Sequence, residues 1–214
     1  MKAIQPRQAV KASAFGVSLL LVSPLVALAW LEKHTIRGEA VFTTFAQALA
    51  IFPGLPGSYL RGAYYFATLD RCSWETHVGF GSIFTHRGGS MGTRASMGAY
   101  CVIGHARIGD EVMMGSRVSV PSGKRQHIDE DGRLTSGSRY DTVTIGRQTW
   151  VGEGAIIMAD VGASSIVSAG AVVIRDMPDH CLIGGNPARV IKELGGAERL
   201  DDPRDRPLSI LRAR

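Results

Sequence analysis

The chain has 214 residues, a formal net charge of +5, 26 glycines and three cysteines. That length holds one compact domain with a small appendage. Cys72, Cys101 and Cys181 are too few and too widely spaced for a disulfide framework or a zinc-ligand pattern, and read as buried free thiols. The glycines carry no collagen period, and no basic helix or aromatic–basic ladder points to nucleic acid; the charge suits a phosphate-rich ligand or an anionic membrane surface.

Residues 12–31, ASAFGVSLLLVSPLVALAWL, carry no charge; Lys2, Arg7 and Lys11 precede them, and Glu32, Lys33 and Arg37 come after. The stretch just reaches the length of a membrane-spanning helix, and Pro24 would kink such a helix without excluding it. We read it as a membrane contact, a spanning helix or hairpin anchor. A secretory signal with ALA at 27–29, or a soluble helix packed on an oligomer, are the alternatives. Ala40 to Phe52 is apolar and helical in pattern, and PGLPG (53–57) ends it. Ser58 to Leu69 fits a short helix with Ser58 as its cap. These helices either lie in the membrane interface, with Tyr64 and Tyr65 as amphipathic contacts, or cover the first coil of the next domain.

From about Val78 the sequence repeats every six residues. Met91, Met97 and Ile103 form one run; Ile108, Met114 and Val120 another; Ile145, Val151 and Ile157 a third; Val161, Val167 and Val173 a fourth. Glycine often comes next, and a small or aliphatic residue usually stands two places before. Neither a helix (period 3.6) nor a half-buried strand (period 2) explains this. A parallel β-helix does, each hexapeptide forming one flat face of a triangular coil with its aliphatic residue inward. Twelve inward positions on three faces predict about four coils, with glycine supplying unusual backbone angles at the corners. The steps Ile103–Ile108 and Ile157–Val161 are short, which a tighter corner absorbs. The polar stretch 121–142, between Val120 and Val143, is then a loop projecting from a closed solenoid.

The segments IGHARIGDEVMMGSRVSV, TIGRQTWVGEGAII, IVSAGAVVIRDMP and GGNPARVI resemble the hexapeptide-repeat acyltransferases, in the branch of galactoside, maltose and nodulation O-acetyltransferases and polysaccharide acetyltransferases. The resemblance covers residues 78–193. It implies a left-handed β-helix, a homotrimer, acetyl-coenzyme A as donor, and active sites in clefts between subunits. The expected organisation is an apolar helical region over 1–70, a left-handed β-helix over 71–185 with the projecting loop, and a short C-terminal helix, ARVIKEL, followed by a charged tail.

Acyl transfer needs a base near the acceptor, and histidine, with a pKa near ~6.5, suits that role. His127 lies in the projecting loop, where the resemblance places the catalytic histidine. The Gly-His-Pro of sugar acetyltransferases is replaced here by Gly123, Lys124 and Arg125. Asp129, Glu130, Asp131 or a main-chain carbonyl is available to orient the imidazole. Lys124 and Arg125 are either phosphate contacts or a solvated cluster. The resemblance puts Trp150 and Gly152 beside the pantetheine channel, and Ser168, Ala169 and Gly170 one coil later. It sets Arg175, Arg189 and Lys192 near the coenzyme A phosphates, with Pro187 closing the barrel. His86 and His105 stand 19 residues apart, about one coil. The chain lacks the closely spaced histidine pair of the zinc-binding γ-type carbonic anhydrases, so no metal is expected. His86 is read as a structural or cleft-lining group.

The expectation is therefore an acetyl-coenzyme A-dependent O-acetyltransferase acting on a saccharide or glycolipid hydroxyl. It would work in the cytoplasm or on the cytoplasmic side of the inner membrane, where the donor is found. An N-acetyltransferase on an amino-sugar or amino acid, and a non-enzymatic β-helix scaffold, are the alternatives.

Overall fold

The computed structural model describes residues 6–124, 126–129, 131–135 and 140–195. Three helices come first: α1 (Pro6–Thr35), α2 (Ala40–Ala50) and α3 (Gly54–Thr68). α3 begins before Ser58. Pro53 is its N-cap residue, and Pro56 fits the first turn, where its missing N–H costs nothing. Ser58 is not the cap; its hydroxyl instead meets His77 Nδ1 at 3.0 Å.

Charged side chains from neighbouring elements hold both ends of α2. The Glu32 carboxylate of α1 accepts the Val41 and Phe42 N–H groups at 2.8 and 3.2 Å. The buried Arg61 of α3 donates to the carbonyls of Leu49 and Phe52 at 3.1 and 2.7 Å, and to Val78 of the first coil. An anion at the N-terminal end and a cation at the C-terminal end both complement the helix dipole. Tyr64 and Tyr65 are fully buried. Tyr65 Oη accepts the Phe84 N–H at 3.0 Å, so the helices cover the first coil.

The coil winds through three parallel sheets. On the first face lie β1 (Arg71–Cys72), β4 (Ser90–Met91), β7 (Ala106–Ile108) and β10 (Val143–Ile145), continued by bridges at Val161 and Met177. On the second lie β2 (His77–Val78), β5 (Ser96–Met97), β8 (Met113–Met114), β11 (Trp150–Val151), β13 (Ile166–Val167) and β15 (Cys181–Gly185). On the third lie β3 (Ile83–Phe84), β6 (Val102–Ile103), β9 (Ser119–Val120), β12 (Ile156–Ile157) and β14 (Val172–Val173). All twelve inward residues expected from the period are buried and aligned. The solenoid has about six turns, not four. Cys72, Val78, Phe84, Met177 and Ile183 extend the stack, and the first of them lacks the following glycine that made the repeat visible.

The glycines act differently from the expectation. Gly92, Gly98, Gly109, Gly146 and Gly152 come directly after inward residues, and a Cβ on any of them would approach the backbone of the next coil to 2.4–2.6 Å. Close stacking is what demands glycine there. The left-handed backbone sits two residues later, and mostly on other residue types: Arg94, Tyr100, Glu111, Arg117, Gln148 and Ser164 all have φ between 53° and 59°.

A second correction concerns ARVIKE. It is not a helix but β16 (Ala188–Glu193), which pairs antiparallel with β15 and ends the second sheet. The charged tail lies outside the described residues.

Candidate active site

Chain length varies at one corner only. From first face to second, and from second to third, every step between inward residues is six. From third to first the steps are seven (Phe84–Met91), five (Ile103–Ile108), twenty-five (Val120–Ile145), four (Ile157–Val161) and four (Val173–Met177). Two corners stay in strict register, while the third can take up insertions without disturbing the inward stack. Loop 121–142 is the large insertion at that corner.

Its neck is closed. Asp141 N–H donates to the Ser122 carbonyl at 3.1 Å, and the buried Ser122 hydroxyl accepts the His105 N–H at 2.7 Å. Beyond the neck the loop folds on itself: Thr135 N–H donates to the His127 carbonyl at 2.9 Å, and Ile128 bridges Leu134 antiparallel. His127 thus stands at the foot of a small hairpin. Asp129 Oδ1 accepts the Arg133 N–H at 2.8 Å, so this carboxylate serves its own turn. Arg125 and Glu130 lie outside the described residues. Lys124 Nζ donates to the Ile174 carbonyl at 3.3 Å, tying the loop to a later coil.

His127 is exposed and lines a cavity of about 310 Å³, shared with His86, Thr85, Ser119, Gln126 and Tyr140. Its ring makes no hydrogen bond among the described residues. The His86 ring is held: Nδ1 lies 2.6 Å from Glu39 Oε2, and the Tyr140 ring centroid is 4.2 Å away. Burial pushes the Glu39 carboxyl up, but hydrogen bonds from His86 and the Arg87 N–H, with the charge of the Arg87 guanidinium, hold it below the ordinary carboxylate range. His105 stacks one coil above, its ring centroid 6.5 Å from that of His86. Its Nδ1 meets Thr142 Oγ1 at 2.9 Å, and its other edge packs on Gly88, so it braces the loop exit. His77 sits with Ser58 near α3, where burial and Arg61 lower its pKa. Among the described residues no group of three His, Cys, Asp or Glu could hold a metal. Glu39 was missed by sequence reasoning, since nothing in the chain links it to a histidine 47 positions on.

Except for Arg175, the residues expected at the donor site fall elsewhere on the coil. Gly152, Ser168, Ala169 and Gly170 stack at the corner entering the third face, with Gly152 N–H donating to Val167 O at 2.7 Å. Trp150 is exposed on the second face, beside Met113 and Ile166. Arg175 is exposed at the variable corner, after Val173. Pro187 lies in the turn between β15 and β16, and Arg189 and Lys192 lie on β16. The structure therefore gathers Gly152 with 168–170, and separates them from His127 by the width of the third face.

These features define a left-handed parallel β-helix built of hexapeptide repeats, capped by helices and carrying one large loop at a single corner. No family model matches the chain. Galactoside O-acetyltransferase of Escherichia coli is 30% identical over 96 residues, which is 43% of this chain and 46% of that one. The chain spans less than half the length of the first curated relatives it matches. The crystal structure of a maltose O-acetyltransferase from Clostridium difficile is 25% identical, covers 73% of this chain and 87% of its own, and superposes with a TM-score of 0.52. A galactoside acetyltransferase solved in complex with coenzyme A shares the fold at a TM-score of 0.59, with 19% identity over 73% of this chain and 81% of its own. Sequence relatives and fold together show the resemblance to the hexapeptide-repeat acyltransferases.

Proposed function

We propose that the protein is an acetyl-coenzyme A-dependent O-acetyltransferase acting on a saccharide or glycolipid hydroxyl. The observation that carries this reading is His127 at the foot of the corner hairpin, lining a cavity rich in hydrogen-bonding groups. His127 takes the proton from the acceptor hydroxyl as its oxygen attacks the thioester carbonyl. The C–S bond breaks, the proton passes to the coenzyme A thiolate, and the acetyl ester forms without a covalent enzyme intermediate.

Gly152 and 168–170 admit the pantetheine arm close to the backbone, with Trp150 packing on it. Arg175, Arg189 and Lys192 bind the phosphates, and Pro187 shapes the turn beside them. Since His127 and the glycine corner flank opposite edges of one face, a homotrimer would complete the site by bringing one subunit's loop to its neighbour's corner. α1 packs Ser18, Val22, Ala29 and Glu32 inward and exposes Val17, Leu20, Leu21, Leu28 and Leu31. That apolar face supports docking on the cytoplasmic surface of a membrane, near lipid-linked acceptors.

Incubation with labelled acetyl-coenzyme A and a library of small glycans, read by mass spectrometry, tests the reading. Ester-linked acetyl on a saccharide is expected. Acetylation confined to amines would convert it to N-acetyl transfer, and failure to bind coenzyme A would leave a scaffold.

A further inference from the structure

We infer that His86, oriented by Glu39, binds a second hydroxyl of the acceptor beside the one that is acylated. The site therefore selects a saccharide bearing a vicinal diol. This rests on reading the His127 cavity as the acceptor site. His86 projects from FTHRGG, where the step Phe84–Met91 is one residue longer than six, so the variable corner carries a small insertion here too.

The Glu39 carboxylate only accepts hydrogen bonds: Oε2 faces His86 Nδ1 at 2.6 Å, and Oε1 takes the Arg87 N–H at 3.0 Å. Nδ1 therefore carries the proton, and in the neutral ring Nε2 is left as a lone-pair acceptor for the cavity. Among the described residues His127 has no such tether. One cavity thus holds a fixed acceptor and a free base, beside the aromatic face of Tyr140. Two neighbouring hydroxyls on an apolar ring face match that set; an isolated alcohol uses half of it. Glu39 is a positioning residue, and through it the helical cap takes part in acceptor choice.

Glu39→Gln separates the possibilities. The amide oxygen must stay on the Arg87 N–H, so its NH2 turns to His86. Nδ1 then becomes the acceptor and Nε2 presents a proton to the cavity. Histidine-selective ¹⁵N NMR of the whole protein should show His86 protonated on Nδ1 in the wild type and on Nε2 in E39Q. The wild-type Nε2 signal should move on addition of methyl galactoside and not of ethanol. With a glycan substrate, E39Q should raise KM about tenfold, the scale of one hydrogen bond, with kcat within about threefold and its pH dependence unchanged.

A wild-type ring protonated on Nε2, an equal response to ethanol, or a kcat loss at constant KM would overturn the inference. Absence of any acetyl transfer by the wild type would instead remove the functional reading, while the NMR arms still decide the role of His86. Among the described residues, Arg87, Glu32, His105, Tyr140 and His127 are the charged or titratable groups placed around this ring, and E39Q leaves all of them in place.

Discussion

Arg87 of the coil donates to the Glu32 carboxylate of α1 at 2.8 Å, and both side chains are buried. The same guanidinium reaches the carbonyls of Ala29 and Gly38, so one side chain of the coil organises the turn between α1 and α2. Removing either partner leaves the other charged and buried. Arg87→Leu or Glu32→Gln should cost about 3–5 kcal/mol, read as a lowered denaturation midpoint in urea.

This pair also sets an acid limit. Burial pushes the Glu32 carboxyl up, but the Val41 and Phe42 N–H donors and Arg87 outweigh it, so its folded pKa lies below the ordinary value. A depressed carboxylate contributes stability that is fully present above its unfolded pKa of about 4.3, and loses it as pH falls through the folded value. Glu32→Gln should therefore flatten the pH dependence of stability below that range, as seen in urea midpoints measured from neutral to acid pH.

The proposed base gives a direct kinetic expectation. His127→Ala should lower kcat by about 10²–10⁴ while coenzyme A affinity and melting temperature stay unchanged, because the side chain is exposed. Full activity in this variant would end its role as general base.

Two glycines one coil apart should respond differently to alanine. A Cβ on Gly152 would lie 2.4 Å from the Ala169 backbone nitrogen, which cannot move without displacing a coil. Gly170 has open space but φ +69°. Gly152→Ala should cost about 1–3 kcal/mol through overpacking, and Gly170→Ala about 1 kcal/mol through backbone strain, as compared by thermal melts.

The exposed face of α1 predicts vesicle binding. Leu20→Ser with Leu28→Ser should reduce co-flotation with anionic liposomes without altering the melting temperature, since both side chains point away from α3. Retention of full flotation would show that this face does not hold the protein on the vesicle.

The solenoid was legible because its rule is local. Inward aliphatic residues return after six positions at two of the three corners, so the runs between Met91 and Val173 could be placed without knowing any contact. The period leaves out the outer positions Cys72, Val78, Phe84, Met177 and Ile183, three of which, Cys72, Phe84 and Met177, have no glycine after them. His127 was legible as a histidine in the one long break of the period. The hairpin at whose foot it stands was not, since Ile128–Leu134 pairing has no period to announce it.

The sequence alone determined the repeat, twelve of its inward residues and the place of the large loop between Val120 and Val143, because these depend only on spacing along the chain. Tertiary structure decided the rest. Ala188–Glu193 carries an apolar pattern that suits helix or strand, and the open edge of β15, whose backbone groups need partners, made it a strand. Glu39 and His86 are each unremarkable in sequence. They meet because a helical cap folds back on the corner between the first and second turns of the coil, where the half-buried carboxylate lies against that imidazole and the neighbouring Arg87.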